Sequence, residues 1–144
     1  MSQVDVSAEV EIAASPADIA AVMFDPAREP EWMNEVTGVE IVDPALAPGA
    51  RVKHMGQVLG RAIDWLTVVE AVHFPHVLTL RIGDGPFVGT VHYQIQRSGT
   101  GSVARMRSVG EAPSLGFVPA AMIAAGMRSA LGANLARLKA LVEV

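Results

Sequence analysis

The sequence predicts an antiparallel α+β domain with seven strands, two short helices after the first strand, and a long helix at the C-terminal end. Three observations predict it. The opening segment alternates strictly in polarity. Strand-like runs then follow one another across turn signals. The long helical periodicity falls only after the last of them. Strands grouped in sequence, with helices set apart, point to an antiparallel sheet rather than to alternating βα units.

Each element has its own reason. Val4, Val6, Ala8, Val10 and Ile12 alternate with Asp5, Ser7, Glu9 and Glu11, the period of a half-buried strand. Ser15-Pro16 opens a helix, with Ser15 as cap and Pro16 in the first turn. Ile19, Val22 and Met23 give that helix an apolar face, and Asp25-Pro26 ends it. Glu29-Pro30-Glu31-Trp32-Met33 forms a second short helical turn leading to a strand over residues 36–42. Residues 44–49 are a loop. Residues 51–59 and 61–72 read as two strands around Leu59-Gly60-Arg61, and residues 77–82 as another. Asp84-Gly85 is a hairpin signal. Residues 88–97 and 102–111 pair across Ser98-Gly99-Thr100-Gly101. A helix over about 118–143 then places Ile123, Met127, Leu131, Leu135, Leu138, Leu141 and Val142 within a sector of about 120°. Asn134 is the polar residue inside that sector.

Composition narrows the function. The 144 residues are 51% hydrophobic and 18% charged, so one folded domain spanning 1–144 is expected rather than a disordered chain. A net charge of −4 argues against a nucleic-acid partner, which calls for a basic stripe. The absence of cysteine excludes disulfides, thiolate metal sites and a cysteine nucleophile. The uncharged apolar stretch at 115–127 is shorter than the roughly 18–20 residues of a membrane span. The first residues carry neither a basic nor an apolar leader region, so a cytoplasmic protein is expected. The apolar surplus suggests an internal cavity, and a homodimer is one assembly the composition allows.

The arrangement resembles the SRPBCC superfamily, which includes START and polyketide cyclase-like proteins. The resemblance is carried by Ser15-Pro16-Ala17-Asp18-Ile19, Pro30-Glu31-Trp32, Pro48-Gly49-Ala50-Arg51-Val52, Val68-Val69-Glu70 with Pro75, Val91-His92-Tyr93-Gln94-Ile95, Gly99-Thr100-Gly101 and the terminal helix. It covers nearly the whole chain. It implies a helix-grip fold, in which a curved seven-stranded sheet grips the C-terminal helix around a cavity. It also implies a small hydrophobic ligand, such as a lipid or polyketide, and in some members cyclisation or dehydration of polyketides.

The hairpin at Leu59-Gly60-Arg61 assigns faces independently of that resemblance. It opposes Gly56 to Ile63, His54 to Trp65 and Val52 to Thr67, and it opposes Lys53 to Leu66 and Met55 to Asp64. Charges concentrate in the second set, so the first faces inward. By the same alternation Val91, Tyr93, Ile95, Ala104, Met106 and Ser108 face in, while Arg105 and Arg107 face out. The expected ligand-binding residues are Trp32, His54, Trp65, Tyr93, Met127 and Asn134, with Thr67 and Ser108 as small fillers. Trp65 and Tyr93 would serve equally well as ordinary core aromatics. His54 and Asn134 are expected to flank one ligand across the cavity.

Two principal functions follow. The first is binding of a small apolar molecule without covalent chemistry. The second is a cyclase or dehydratase with His54 as general acid or base, helped by Tyr93 or Asn134. No orienting carboxylate is expected beside His54, because Asp64 points away in this register. An interaction module that binds a protein partner is a third reading. No cofactor or metal is expected: His73-Phe74-Pro75-His76 lacks a companion ligand, and Gly83-Asp84-Gly85 is a turn rather than a dinucleotide fingerprint.

Overall fold

In the computed structural model, which describes residues 2–58, 60–113, 116 and 118–144, one seven-stranded antiparallel sheet has the order β1-β7-β6-β5-β4-β3-β2. The strands are β1 (Ser2–Ile12), β2 (Val36–Ile41), β3 (Arg51–Val58), β4 (Arg61–His73), β5 (Val77–Ile82), β6 (Val88–Ser98) and β7 (Gly101–Ala112). Helix α1 (Pro16–Met23), a 3-10 turn (Pro26–Arg28) and α2 (Glu29–Trp32) join β1 to β2, and α3 (Ala120–Val142) follows β7. This is the expected α+β helix-grip architecture. Residue 59 in the β3–β4 turn and residue 115 in the apolar stretch lie outside the described residues.

Local chemistry accounts for the boundaries. The Ser15 side chain accepts from the Asp18 amide and caps α1, with Pro16 in its first turn. Asp25 caps the 3-10 turn through the Ala27 amide. Helix α3 begins at Pro119 without a side-chain cap. It packs mainly on β1, with contacts to α1, α2 and β7.

The β3–β4 register is the one the turn implied: Val52 opposes Thr67, His54 opposes Trp65 and Gly56 opposes Ile63. Val52, His54 and Gly56 are buried, whereas Arg51 and Gln57 are exposed. Strands β1 and β7 pair along their length. Their inner faces bury Val4, Val6, Ile12, Ala104 and Met106. Outside, Arg107 donates to both Asp5 carboxylate oxygens at 2.8 and 2.6 Å, while Arg105 reaches the Ser7 hydroxyl at 3.4 Å.

The interior forms two apolar clusters. The larger contains Ile19, Met23, Phe24, Trp32, Tyr93, Ile95, Leu135 and Leu138. The smaller contains Val4, Ile82, Phe87 and Ala112, with Ile123, Ala124 and Met127 packed on it. Half-buried Trp65 and Val91 touch both.

Candidate functional site

Helix α3 has two unlike halves. Between Ala120 and Ala133 every residue is exposed or half-buried; Ile123, Ala124, Met127 and Leu131 are the half-buried ones. From Asn134 onward the helix is anchored, with Leu135 and Leu138 wholly buried. Gly126 and Gly132 lie in the first half, and each costs about 1 kcal/mol in a helix interior relative to alanine. The first half of α3 is therefore held less firmly than its second half.

A polar group occupies the deeper wall. The His54 ring stacks on Trp65, with centroids 5.4 Å apart and planes 7° apart. His54 Nε2 lies 2.8 Å from Thr67 Oγ1. On its other side Nδ1 lies 2.8 Å from Glu29 Oε1, both side chains being over nine-tenths buried. That second contact is close but poorly directed for an N–H···O bond. The expectation that no carboxylate stands beside His54 is thus corrected. The acid comes from α2 rather than from the neighbouring strand, whose Asp64 faces Lys53 on the outside. A signal for it existed in the sequence: Glu29 stands three residues before Trp32, so both share one face of the helical turn. Trp32 is fully buried and takes Glu29 inward with it.

Asn134 has a separate set of partners. Its Oδ1 accepts from the Asn34 amide at 3.1 Å and from Arg137 Nη1 at 2.8 Å. Its Nδ2 donates to both Glu35 carboxylate oxygens, each at 3.0 Å. Asn134 therefore ties α3 to the α2–β2 junction, and His54 is not among its polar partners. Glu35 sits in the turn between α2 and β2, immediately before Val36. Its carbonyl accepts from the Gln57 amide and lies so close to Gly56 that any Cβ there would collide with it.

Trp32 and Tyr93 meet nearly at right angles, 6.3 Å between centroids, and Phe24 lies 6.2 Å from Tyr93. Burial pushes the Tyr93 hydroxyl well above the ordinary tyrosine range, and the nearby Glu29 and Glu35 carboxylates push it the same way. Trp32 Nε1 is buried without a hydrogen-bond partner among the described residues. Of the expected residues, Trp32, His54, Tyr93 and Asn134 are buried, Trp65 touches both clusters, and Met127 packs on the smaller one. Thr67, expected as a filler, is the hydroxyl bound to His54.

Two concavities lie elsewhere. One of about 400 Å³ is lined by Leu66, Val68, Arg81, Gly83 and Asp84. The other, of about 260 Å³, lies where β1, the β6–β7 turn and the end of α3 meet, around Ser98, Lys139 and Glu143. Among the described residues no group of three or more acidic, histidine or cysteine side chains could hold a metal ion, and no helix is long and apolar enough to cross a membrane.

A family model described as polyketide cyclase / dehydrase and lipid transport matches residues 3–143. No curated protein sequence matches. A START superfamily protein from Mycobacterium smegmatis is similar in structure, with a TM-score of 0.82, 20% identity, and 96% of this chain and 97% of that one covered. TTHA0849 from Thermus thermophilus is similar with a TM-score of 0.81, 19% identity and 96% of each chain covered. The protein XoxI from Bacillus cereus has a TM-score of 0.77 and 12% identity, with 96% of this chain and 95% of that one covered.

Proposed function

The chain belongs to the polyketide cyclase / dehydrase and lipid transport family of the SRPBCC superfamily, and on that premise we propose that it binds a small hydrophobic molecule between its sheet and the first half of α3. The observation that carries this reading is the unequal burial of α3. Its second half is anchored by Asn134, Leu135 and Leu138, while its first half lays only half-buried Ile123, Met127 and Leu131 on the two apolar clusters, which half-buried Trp65 and Val91 also touch. A wall held so loosely can move aside for an apolar ligand, whose burial then completes the packing. Trp32, His54, Tyr93 and Asn134 would supply the polar end of the site.

Intrinsic fluorescence tests this directly, because both tryptophans of the chain, Trp32 and Trp65, belong to the proposed site. Titration with apolar aromatic probes is expected to give saturable emission changes, and Met127→Glu is expected to weaken them by tenfold or more, about 1.4 kcal/mol. Emission that stays unchanged across a panel of neutral and charged aromatic probes would contradict the reading.

One observation favours a second reading, a cyclase or dehydratase. Glu29 Oε1 stands 2.8 Å from His54 Nδ1, near enough to orient the ring once a small rotation aligns the two, with Nε2 left for proton transfer once Thr67 yields its place. Turnover of a polyketide mimic that is lost in both His54→Ala and Glu29→Gln would support it. Binding without turnover would leave the first reading alone.

A further inference from the structure

On the outer face of β4, two apolar side chains, Leu66 and Val68, stand between the acids Asp64 and Glu70. Leu66 is exposed, the only large apolar side chain so placed in β3–β7 among the described residues. The register leaves a gap beside it. Val68 pairs with Arg81 and Thr67 with Ile82, so the next position sets Gly83 against Leu66. The φ of Gly83 lies outside the left-handed region, and a Cβ there would meet nothing within 4 Å. Neither backbone strain nor packing calls for glycine at this position, yet its lack of a side chain keeps the gap open. The result is the concavity of about 400 Å³ lined by Leu66, Val68, Arg81, Gly83 and Asp84, a volume in the range of small-molecule sites.

The charges around this hollow are unequally committed. On the β3 side Lys53 stands opposite Leu66 and Arg51 opposite Val68, but Lys53 pairs with Asp64 at 3.6 Å and Arg51 with Asp43 at 2.9 Å. Arg81 approaches Glu70 at 3.7 Å, too far for a hydrogen bond, so its guanidinium keeps donors to offer. Asp84 has no ion-pair partner among the described residues. One cation and one anion thus line the same apolar hollow without pairing with each other. A ligand with a single charge would be attracted by one and repelled by the other. A ligand with both charges beside an apolar side chain complements the whole lining.

We propose that this concavity is a second site, on the outer face of the sheet, for a small zwitterion with an apolar side chain, the chemistry of a free apolar α-amino acid. The carboxylate takes the Arg81 guanidinium, the ammonium faces Asp84, and the side chain covers Leu66 and Val68 above Gly83. The sheet separates this site from the interior, so it stands or falls independently of the binding reading above. Exposed ion pairs contribute little, and a dissociation constant of about 1 mM is expected.

The test is a nitrogen-15 NMR titration of the full chain at neutral pH with L-phenylalanine, 3-phenylpropanoate and 2-phenylethylamine. The second probe lacks the ammonium and the third the carboxylate. Phenylalanine is expected to shift the amides of residues 66–68 and 81–84 saturably, and to bind about threefold or more tightly than either single-charge probe. Gly83→Leu, which fills the hollow where a side chain has room, is expected to abolish those shifts. Arg81→Gln is expected to bring phenylalanine down to the level of the amine. Equal binding of all three probes would overturn the zwitterion class. No saturable shift at these residues, or shifts on the Trp32 indole and residues 120–132 instead, would overturn the site. The three-probe comparison uses the unmodified protein, so it holds whether or not a variant folds.

Discussion

Tyr93 is the only tyrosine in the chain, so its ionisation can be followed alone by ultraviolet absorbance. Burial, then Glu29 and Glu35, raise its pKa in the folded state. A group whose folded value exceeds its unfolded one of about 10 contributes stability below that value and loses it as pH rises through the folded value. The titration midpoint is therefore expected above 10 in the native protein and near 10 in urea. Tyr93→Phe should flatten the alkaline loss of stability. A native midpoint at the unfolded value would mean that the ring is solvated. Glu29 permits a second prediction at this scale. Glu29→Ala leaves a buried histidine without its acid and is expected to cost about 1–3 kcal/mol in urea melts. A neutral outcome would mean that the pair is not held in the interior. Glu29 also illustrates a limit on legibility. Glu29 and Glu31 flank one proline in the sequence, and only the packing of Trp32 makes one of them internal. The other pairs with Arg28 at the surface.

Among the elements, α3 and the outer sheet face make opposite predictions. Leu135→Ala and Leu138→Ala remove fully buried side chains and are expected to cost about 2–5 kcal/mol each, whereas half-buried Leu131→Ala should cost less. Native-state hydrogen exchange should be faster over residues 120–132 than over 134–142. Uniform protection along α3 would contradict the two-halves description. Arg107→Ala breaks a pair that is about half exposed on both sides and should lower stability by less than about 1 kcal/mol, as thermal melts would show. Pattern made these faces legible. Charge segregates to one side of β3 and β4 and of β1 and β7, and a one-residue slip would have buried Lys53, Asp64 or Arg107. Asn134 stood out for the same reason, as a polar residue in an apolar helical sector. Its partner Glu35 did not, because it lies in the α2–β2 turn, where no helical or strand periodicity says which way a side chain points.

For the whole molecule, element order and the clustering of strands sufficed to read the architecture, down to a long helix expected over 118–143 and found as Ala120–Val142. The interior wall was less legible. Its acids arrive from α2 and from the α2–β2 junction, short segments whose orientation depends on tertiary contacts. On the proposed reading a ligand enters between the sheet and the first half of α3. A nitrogen-15 NMR titration with naphthalene-2-methanol tests it most directly, since Trp32 and Trp65 give the chain's two indole N–H signals. The expected result is movement of both indole signals together with the backbone amides of residues 120–132. Unmoved indoles, with shifts confined to the concavity at Leu66, Val68, Arg81 and Asp84, would contradict the account.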